Sequence, residues 1–169
     1  MSAAATRTDE QSVELVRILP GPIERVWSYL ADSDKRREWL GAGILPEHVG
    51  ERFSLHIKHA EFWPDDLPAD QHQAMQRFEH KMTHTLLALE PPHRLAYTFQ
   101  PDGWEENRVE FRLTAEGDKV RLTLTHSKLG SPQHAADASR GWQGHLDILQ
   151  YKLEGKTLPA FDEVWRQPA

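Results

Sequence analysis

Four β-branched, apolar runs follow one another between residues 83 and 127, and the connections between them are too short to hold a helix. They are Thr83–Leu89, Arg94–Phe99, Arg108–Thr114 and Lys119–Ser127. Glu90-Pro91-Pro92-His93, Pro101-Asp102-Gly103-Trp104 and Glu116-Gly117-Asp118 separate them. Clusters of Gly, Pro and Asp of this kind turn a chain sharply. A parallel neighbour needs a crossover of about a dozen residues or more, so the spacing predicts an antiparallel meander.

The flanking segments tell what packs on that meander. Val13–Leu19 reads as a first strand, stopped by Pro20-Gly21-Pro22. Ile23, Val26, Trp27 and Leu30 then fall on one face of a helix. Asp32 or Ser33 can cap a second, short helix carrying Trp39 and Leu40, with Gly41 as a left-handed stop. Phe53, Leu55 and Ile57 alternate with Arg52, Ser54 and His56, the period of a half-buried strand whose inner face His59 would continue. Glu61–Glu79 has no clean period and reads as a long loop. Ser131-Pro132 opens a final helix and Gly155 closes it, with Trp142, Leu146, Leu149 and Leu153 in one stripe. Gly141 and Gly144 either break that helix or let it approach the sheet closely. A strand, two helices, a run of strands and a long helix cannot alternate as βαβ units, so the class is α+β.

Composition narrows the partners. With 26 acidic against 20 basic residues the formal charge is −6, which repels nucleic acid and anionic membrane surfaces. There is no cysteine, which removes disulfides and thiolate metal sites and suits the cytoplasm. The first eleven residues lack the apolar core of a signal peptide and read as a disordered arm, with one domain over 12–156 and a tail over 157–169.

Several short motifs appear in a telling order: Ile23-x-x-Val26-Trp27, Trp39, Gly50-x-Arg52-Phe53, Glu90-Pro91-Pro92-His93-Arg94-Leu95 leading to Tyr97-Thr98, Val109-x-Phe111-x-Leu113, Leu122-x-Leu124-Thr125-His126-Ser127 and Gly141-Trp142. In this order they resemble the START-like superfamily, and within it the branch similar to the homology domain of heat-shock-protein ATPase activators. The resemblance implies a helix-grip fold: a curved antiparallel sheet of about six strands wrapped round the long C-terminal helix, with a cavity between them. It also implies an apolar guest such as a lipid, sterol or polyketide, or contact with a chaperone in a stress response. Glu51 departs from the branch, where a second glycine is frequent, and the 61–79 loop is longer than usual.

Strand parity names the residues that would line such a cavity. If Phe53, Leu55 and Ile57 face inward, so do Val109, Phe111 and Leu113, Val120, Leu122 and Leu124, and Tyr97 with Phe99. Trp142, Leu146 and Leu149 oppose them from the last helix. The same side chains would equally fill an ordinary core. His59 and His126 stand at strand ends on the inner face, where a ring nitrogen could meet a guest's polar end; His145 flanks the helix stripe. Trp27 and Trp39 read as core anchors.

Other chemistry is poorly supported. His80 and His84 would share a face only in a helix, His56 and His59 point apart, and the ten histidines read as scattered surface groups. Gly41-Ala42-Gly43 leads into no phosphate-binding loop, and no nucleophile elbow occurs. Asp65, Asp66 and Asp70 read as solvating the loop. Neither cofactor nor metal is expected. Three functions fit: a carrier of a small apolar, lipid-like or aromatic molecule; a cyclase, dehydratase or hydrolase using His59, His126 and Tyr97; and a chaperone partner. The carrier leads because it requires only shape and apolarity. A sheet edge or exposed tryptophan would allow a homodimer.

Overall fold

A computed structural model describes residues 6–9, 12–63, 79–99, 106–159 and 164. Strand β1 (Thr6–Asp9) and β2 (Ser12–Pro20) lead into helices α1 (Ile23–Ala31) and α2 (Ser33–Arg36). Strand β3 (Arg52–Lys58) ends in a 3-10 turn, His59–Phe62. The meander follows as β4 (Glu79–Glu90), β5 (Arg94–Phe99), β6 (Asn107–Glu116) and β7 (Lys119–Ser127), and α3 (Pro132–Glu154) closes the chain. The strands form one antiparallel, curved sheet in the order β1-β2-β7-β6-β5-β4-β3.

The alternation in the sequence sets which face is buried. In β6 and β7 the burial pattern changes side at every residue, with Val109, Phe111, Leu113, Val120, Leu122 and Leu124 inside. The outer face carries charge instead: Arg94 bridges Glu90 and Glu110, both at 2.8 Å, and Arg112 meets Glu110 at 2.6 Å. Such exposed pairs are worth little individually, but they keep the outer face wet and fix which side packs on α3.

Polar clamps hold α3 along its length. Arg17, buried in β2, reaches Asp147 at 3.2 Å. His145 Nδ1 donates to the Trp39 carbonyl at 2.8 Å, Lys152 Nζ to the Phe62 carbonyl at 2.8 Å, and Arg25 to the Leu153 carbonyl at 2.9 Å. Ser131 caps the first turn through the His134 amide, and Gly155 at φ 68° supplies the left-handed stop.

Three expectations need correction, and one alternative left open by the sequence is decided. Thr6–Asp9, read as part of a disordered arm, pairs with β2; this edge pairing is made by backbone, which no apolar pattern announces. Gly41 is not a left-handed stop: α2 ends at Arg36, and glycine is needed because a Cβ at 41 would sit 3.0 Å from the His56 carbonyl oxygen. Helix α3 runs unbroken through Gly141 and Gly144, and Gly141 faces open space. The histidines are not scattered over the surface, for His59, His84, His126 and His145 are all buried. Asp65, Asp66, Asp70 and the Pro101–Trp104 connection lie outside the described residues. Among the described residues no helix is long and apolar enough to cross a membrane.

Candidate functional site: an aromatic inner face with two unpartnered polar atoms

The residues expected on the inner face are buried, apart from half-buried Phe99, while His59, expected to continue β3, lies in the 3-10 turn that follows it. Phe53, Leu55, Ile57, Tyr97, Val109, Phe111, Leu113, Leu122, Leu124, Trp142, Leu146 and Leu149 are buried in one core, and Phe99 is half-buried against it. At the β4–β5 end the lining turns aromatic. Ring centroids lie 5.3 Å apart for Phe53–His84 and Phe53–Tyr97, 5.2 Å for His84–Tyr97 and 5.4 Å for His84–Phe99. Phe99 and Phe111 each stand 5.7 Å from Trp142, joining this cluster to α3. Two open depressions, of about 290 and 370 Å³, lie elsewhere: beside Trp63 and Lys156, and on the outer sheet face around Arg94 and Arg108.

Most buried polar groups at this face are satisfied by protein. Trp142 Nε1 donates to His126 Nδ1 at 2.9 Å, which fixes the His126 tautomer with its proton on Nε2. That proton goes to Asn107 Oδ1 at 2.5 Å. Both nitrogens of His126 are therefore occupied, and the residue expected to meet a guest's polar end has neither to offer. Burial alone holds its pKa down at about 3, so it stays neutral. His59 sits in the 3-10 turn with its ring 5.3 Å from that of His145. Burial first, then the neighbouring histidines, lowers His59 to about 3; burial lowers His145 to about 4 against the raising effect of its bond to Trp39. Trp39 and its Nε1 bond to the Tyr29 carbonyl at 2.7 Å are structural, as expected.

Two buried atoms differ. Among the described residues neither His84 Nε2 nor the Tyr97 hydroxyl has a hydrogen-bonding partner in the protein, although each residue is only 1% exposed. An unmet polar atom in an apolar interior costs about 1–3 kcal/mol, so such atoms are rare and informative. They lie where the ladder between β4 and β5 gives way. Backbone pairing stops at Leu86–Tyr97 after a register shift, and side chains take over: His84 Nδ1 meets the Thr98 carbonyl at 2.7 Å, and the Thr85 amide donates to Thr98 Oγ1 at 2.9 Å. Irregular pairing of this kind re-aims side chains.

A buried cation stands nearby. Arg36 is 1% exposed and donates to the carbonyls of Leu30, at 2.8 Å, Gly41, at 3.1 Å, and Gly43. No carboxylate is hydrogen-bonded to it among the described residues, and desolvation pulls its pKa down. Its charge acts on both unpartnered residues. Burial raises the Tyr97 pKa and Arg36 opposes this; burial and, less strongly, Arg36 lower that of His84. Both groups are neutral at ordinary pH. Sequence reasoning missed Arg36 and His84 as site residues. The parity of His84 with Leu86, two positions along β4, was the signal for His84; nothing local announced Arg36.

Among the described residues no three His, Asp or Glu side chains cluster as metal ligands. An antiparallel sheet gripping a C-terminal helix over an aromatic inner face defines a START-like, helix-grip protein. Within that class the chain belongs to the family described as activator of Hsp90 ATPase homolog 1-like protein, which matches residues 20–154. It is similar to the protein encoded by gene BPP1335 from Bordetella parapertussis, at 40% identity and a TM-score of 0.77 over 97% of this chain and 88% of that one. CalU16 from Micromonospora echinospora shares the fold at 22% identity and a TM-score of 0.68, over 98% and 91% of the two chains. MLL2253 from Mesorhizobium loti shares it at 21% identity and a TM-score of 0.66, over 88% and 100%. No curated protein matches the sequence.

Proposed function

We propose that this protein binds a small, largely apolar molecule on the inner sheet face, among Phe53, His84, Tyr97, Phe99, Phe111 and Trp142. The observation that carries this is the pair of unmet polar atoms, His84 Nε2 and Tyr97 Oη, within an aromatic surround. A core built only for stability would place apolar atoms there or pair the polar ones, as it does at His126. A mostly apolar site with a few convergent polar groups is what small-molecule recognition requires. Phe99, half-buried, and Phe53, 7% exposed, are the most exposed rings of this group.

The enzyme reading has less behind it: His126 has no nitrogen left for catalysis, and His59 is too weakly basic for proton transfer near neutral pH. The chaperone reading rests on the family description alone. Titration of the ¹⁵N-labelled protein with naphthalene, followed by NMR, tests the binding reading. Shifts should centre on the Trp142 indole and the amides of β4 and β5. Shifts confined to the outer sheet face, or none at saturation, would refute it.

A further inference from the structure

The opposite, outer face of the sheet holds a hollow that regular strand pairing would not make. Strand β4 carries one extra residue: Leu86 pairs with Tyr97 and Ala88 with Ala96, so Leu87 and Ala88 together oppose Ala96. The bulge brings Leu87 onto the outer face, where the neighbouring strands present arginine, glutamate and hydroxyl side chains. Ala88 and Ala96, directly opposite each other, are too short to fill the space above them. The result is an open depression of about 370 Å³, with Leu87 and Ala96 as its apolar part and Arg94, Arg108, Thr125 and Ser127 around it. That volume is at the small end of the range for small-molecule sites.

The charges at this hollow do not cancel. Arg94 is committed to Glu90 and Glu110, both at 2.8 Å, and Arg112, its cross-strand neighbour, takes the second oxygen of Glu110 at 2.6 Å. Both oxygens of Glu110 are therefore occupied, and neither is turned to Arg108. Arg108 is exposed and has no carboxylate partner among the described residues. Three guanidiniums, Arg94, Arg108 and Arg112, face two carboxylates, Glu90 and Glu110, which leaves one uncompensated positive charge on a chain whose formal charge is −6. Hydroxyls stand beside it: Ser127 is directly opposite Arg108 in the β6–β7 ladder, and Thr125 directly opposite Glu110. Side chains so placed lie about 5 Å apart. Both hydroxyls are half-buried and hydrogen-bonded to no protein group among the described residues.

We propose that this hollow is a binding site, separate from the inner face, for a small monocarboxylate with a compact apolar body. The carboxylate accepts from the Arg108 guanidinium and from the Ser127 and Thr125 hydroxyls, and the body lies against Leu87 and Ala96. A planar guanidinium matches a carboxylate with two parallel hydrogen bonds, which a point charge does not. One negative charge balances the one excess positive charge; a dianion such as a phosphate monoester would leave a surplus facing Glu110. A neutral apolar guest has nothing to offer Arg108, so the two faces of the sheet take different molecules. No bond is made or broken in this step.

NMR titrations of the ¹⁵N-labelled full chain at neutral pH with benzoate, benzamide and phenyl phosphate test this. Benzoate should shift the amides of Leu87, Ala96, Arg108 and Ser127 and leave the Trp142 indole unmoved. Benzamide, the neutral analogue, and phenyl phosphate should each bind about fivefold or more weakly, the factor that charge-assisted hydrogen bonds supply. Arg108→Gln should weaken benzoate by a similar factor without moving the thermal unfolding midpoint, since the side chain is exposed and unpaired. Arg108→Lys should recover only part of the loss, because it restores the charge without the fork. Equal binding of benzoate and benzamide, or benzoate binding that Arg108→Gln leaves unchanged, would overturn the proposal. Benzoate shifts centred on the Trp142 indole, or none up to the solubility limit, would overturn it as well, and phenyl phosphate binding more tightly than benzoate would refute the choice of a monoanion. The naphthalene titration reads the other face, so failure there leaves this site standing and failure here leaves that one.

Discussion

Lowering the pH from 7.5 to 5 should remove a large share of the stability of this fold, because its interior holds histidines that must stay neutral. His59, His126 and His145 sit at about 3, 3 and 4 in the folded protein, against an ordinary value of 6.5. The folded values are depressed, so the stabilisation is complete above the unfolded value and is lost as pH falls from there toward the folded ones. At pH 5 the unfolded chain has nearly one extra proton on each of these residues, and the folded protein almost none. From the linkage relation the loss is about 2 kcal/mol for each residue and about 6 kcal/mol together. That is comparable to the whole stability of many domains. His84, lowered by burial, acts in the same direction. Glu110 and Glu154, held below the ordinary carboxylate range by their partners, lose their contribution mainly below this window. Urea unfolding at half-unit steps should give a slope near pH 5 of about 4 kcal/mol per pH unit, equal to uptake of nearly three protons on unfolding. His126→Gln should lower that slope by about 1.4 kcal/mol per pH unit, whatever its effect on absolute stability. A slope under about 1.4 kcal/mol per pH unit, one proton's worth, would refute the assignment of neutral histidines to the interior.

Two further outcomes follow from the polar interior. Arg36→Met should cost at least about 3 kcal/mol in urea unfolding, since it strands three buried carbonyls at roughly 1 kcal/mol or more apiece; a loss under about 1 kcal/mol would show that they find other donors. Tyr97→Phe should be neutral or stabilise by about 1 kcal/mol, because it deletes a hydroxyl that the protein does not satisfy; destabilisation beyond about 1 kcal/mol would show that the hydroxyl is paired.

How far the sequence revealed this molecule depends on the range of the interaction concerned. Strand alternation is local, and Phe53, Val109 and Leu122 read inward correctly because a one-residue slip would have turned charge into the core. The α3 boundaries were equally local, written in Ser131-Pro132 and Gly155. Strand β1 was hidden because edge pairing uses backbone atoms that every sequence has. Arg36 was hidden because an arginine in a four-residue helix reads as solvent-facing; only the return of the chain at Gly41 and Gly43 buries it. For His126 the face was legible but its use was not, since the Trp142 and Asn107 partners come from separate elements. His84 was legible by parity but was weighed only as a metal ligand.

The contrast between His126 and His84 separates structure from function at this face. Both are buried in strands and both rings join the same aromatic network. His126 is matched at each nitrogen, so it contributes to a unique packing and has nothing to exchange with a guest. His84 is matched at one nitrogen only, by a carbonyl freed where the β4–β5 ladder stops, and its other nitrogen is left beside an unmatched hydroxyl. A uniform core would have no reason to treat two such similar residues differently. Natural sequences tolerate local violations of polar satisfaction chiefly where function gains by them. On the binding reading proposed above, the part of the inner face that meets a guest is the His84–Tyr97 end, and Leu122, Leu124, Leu146 and Leu149, buried in the same core, support it.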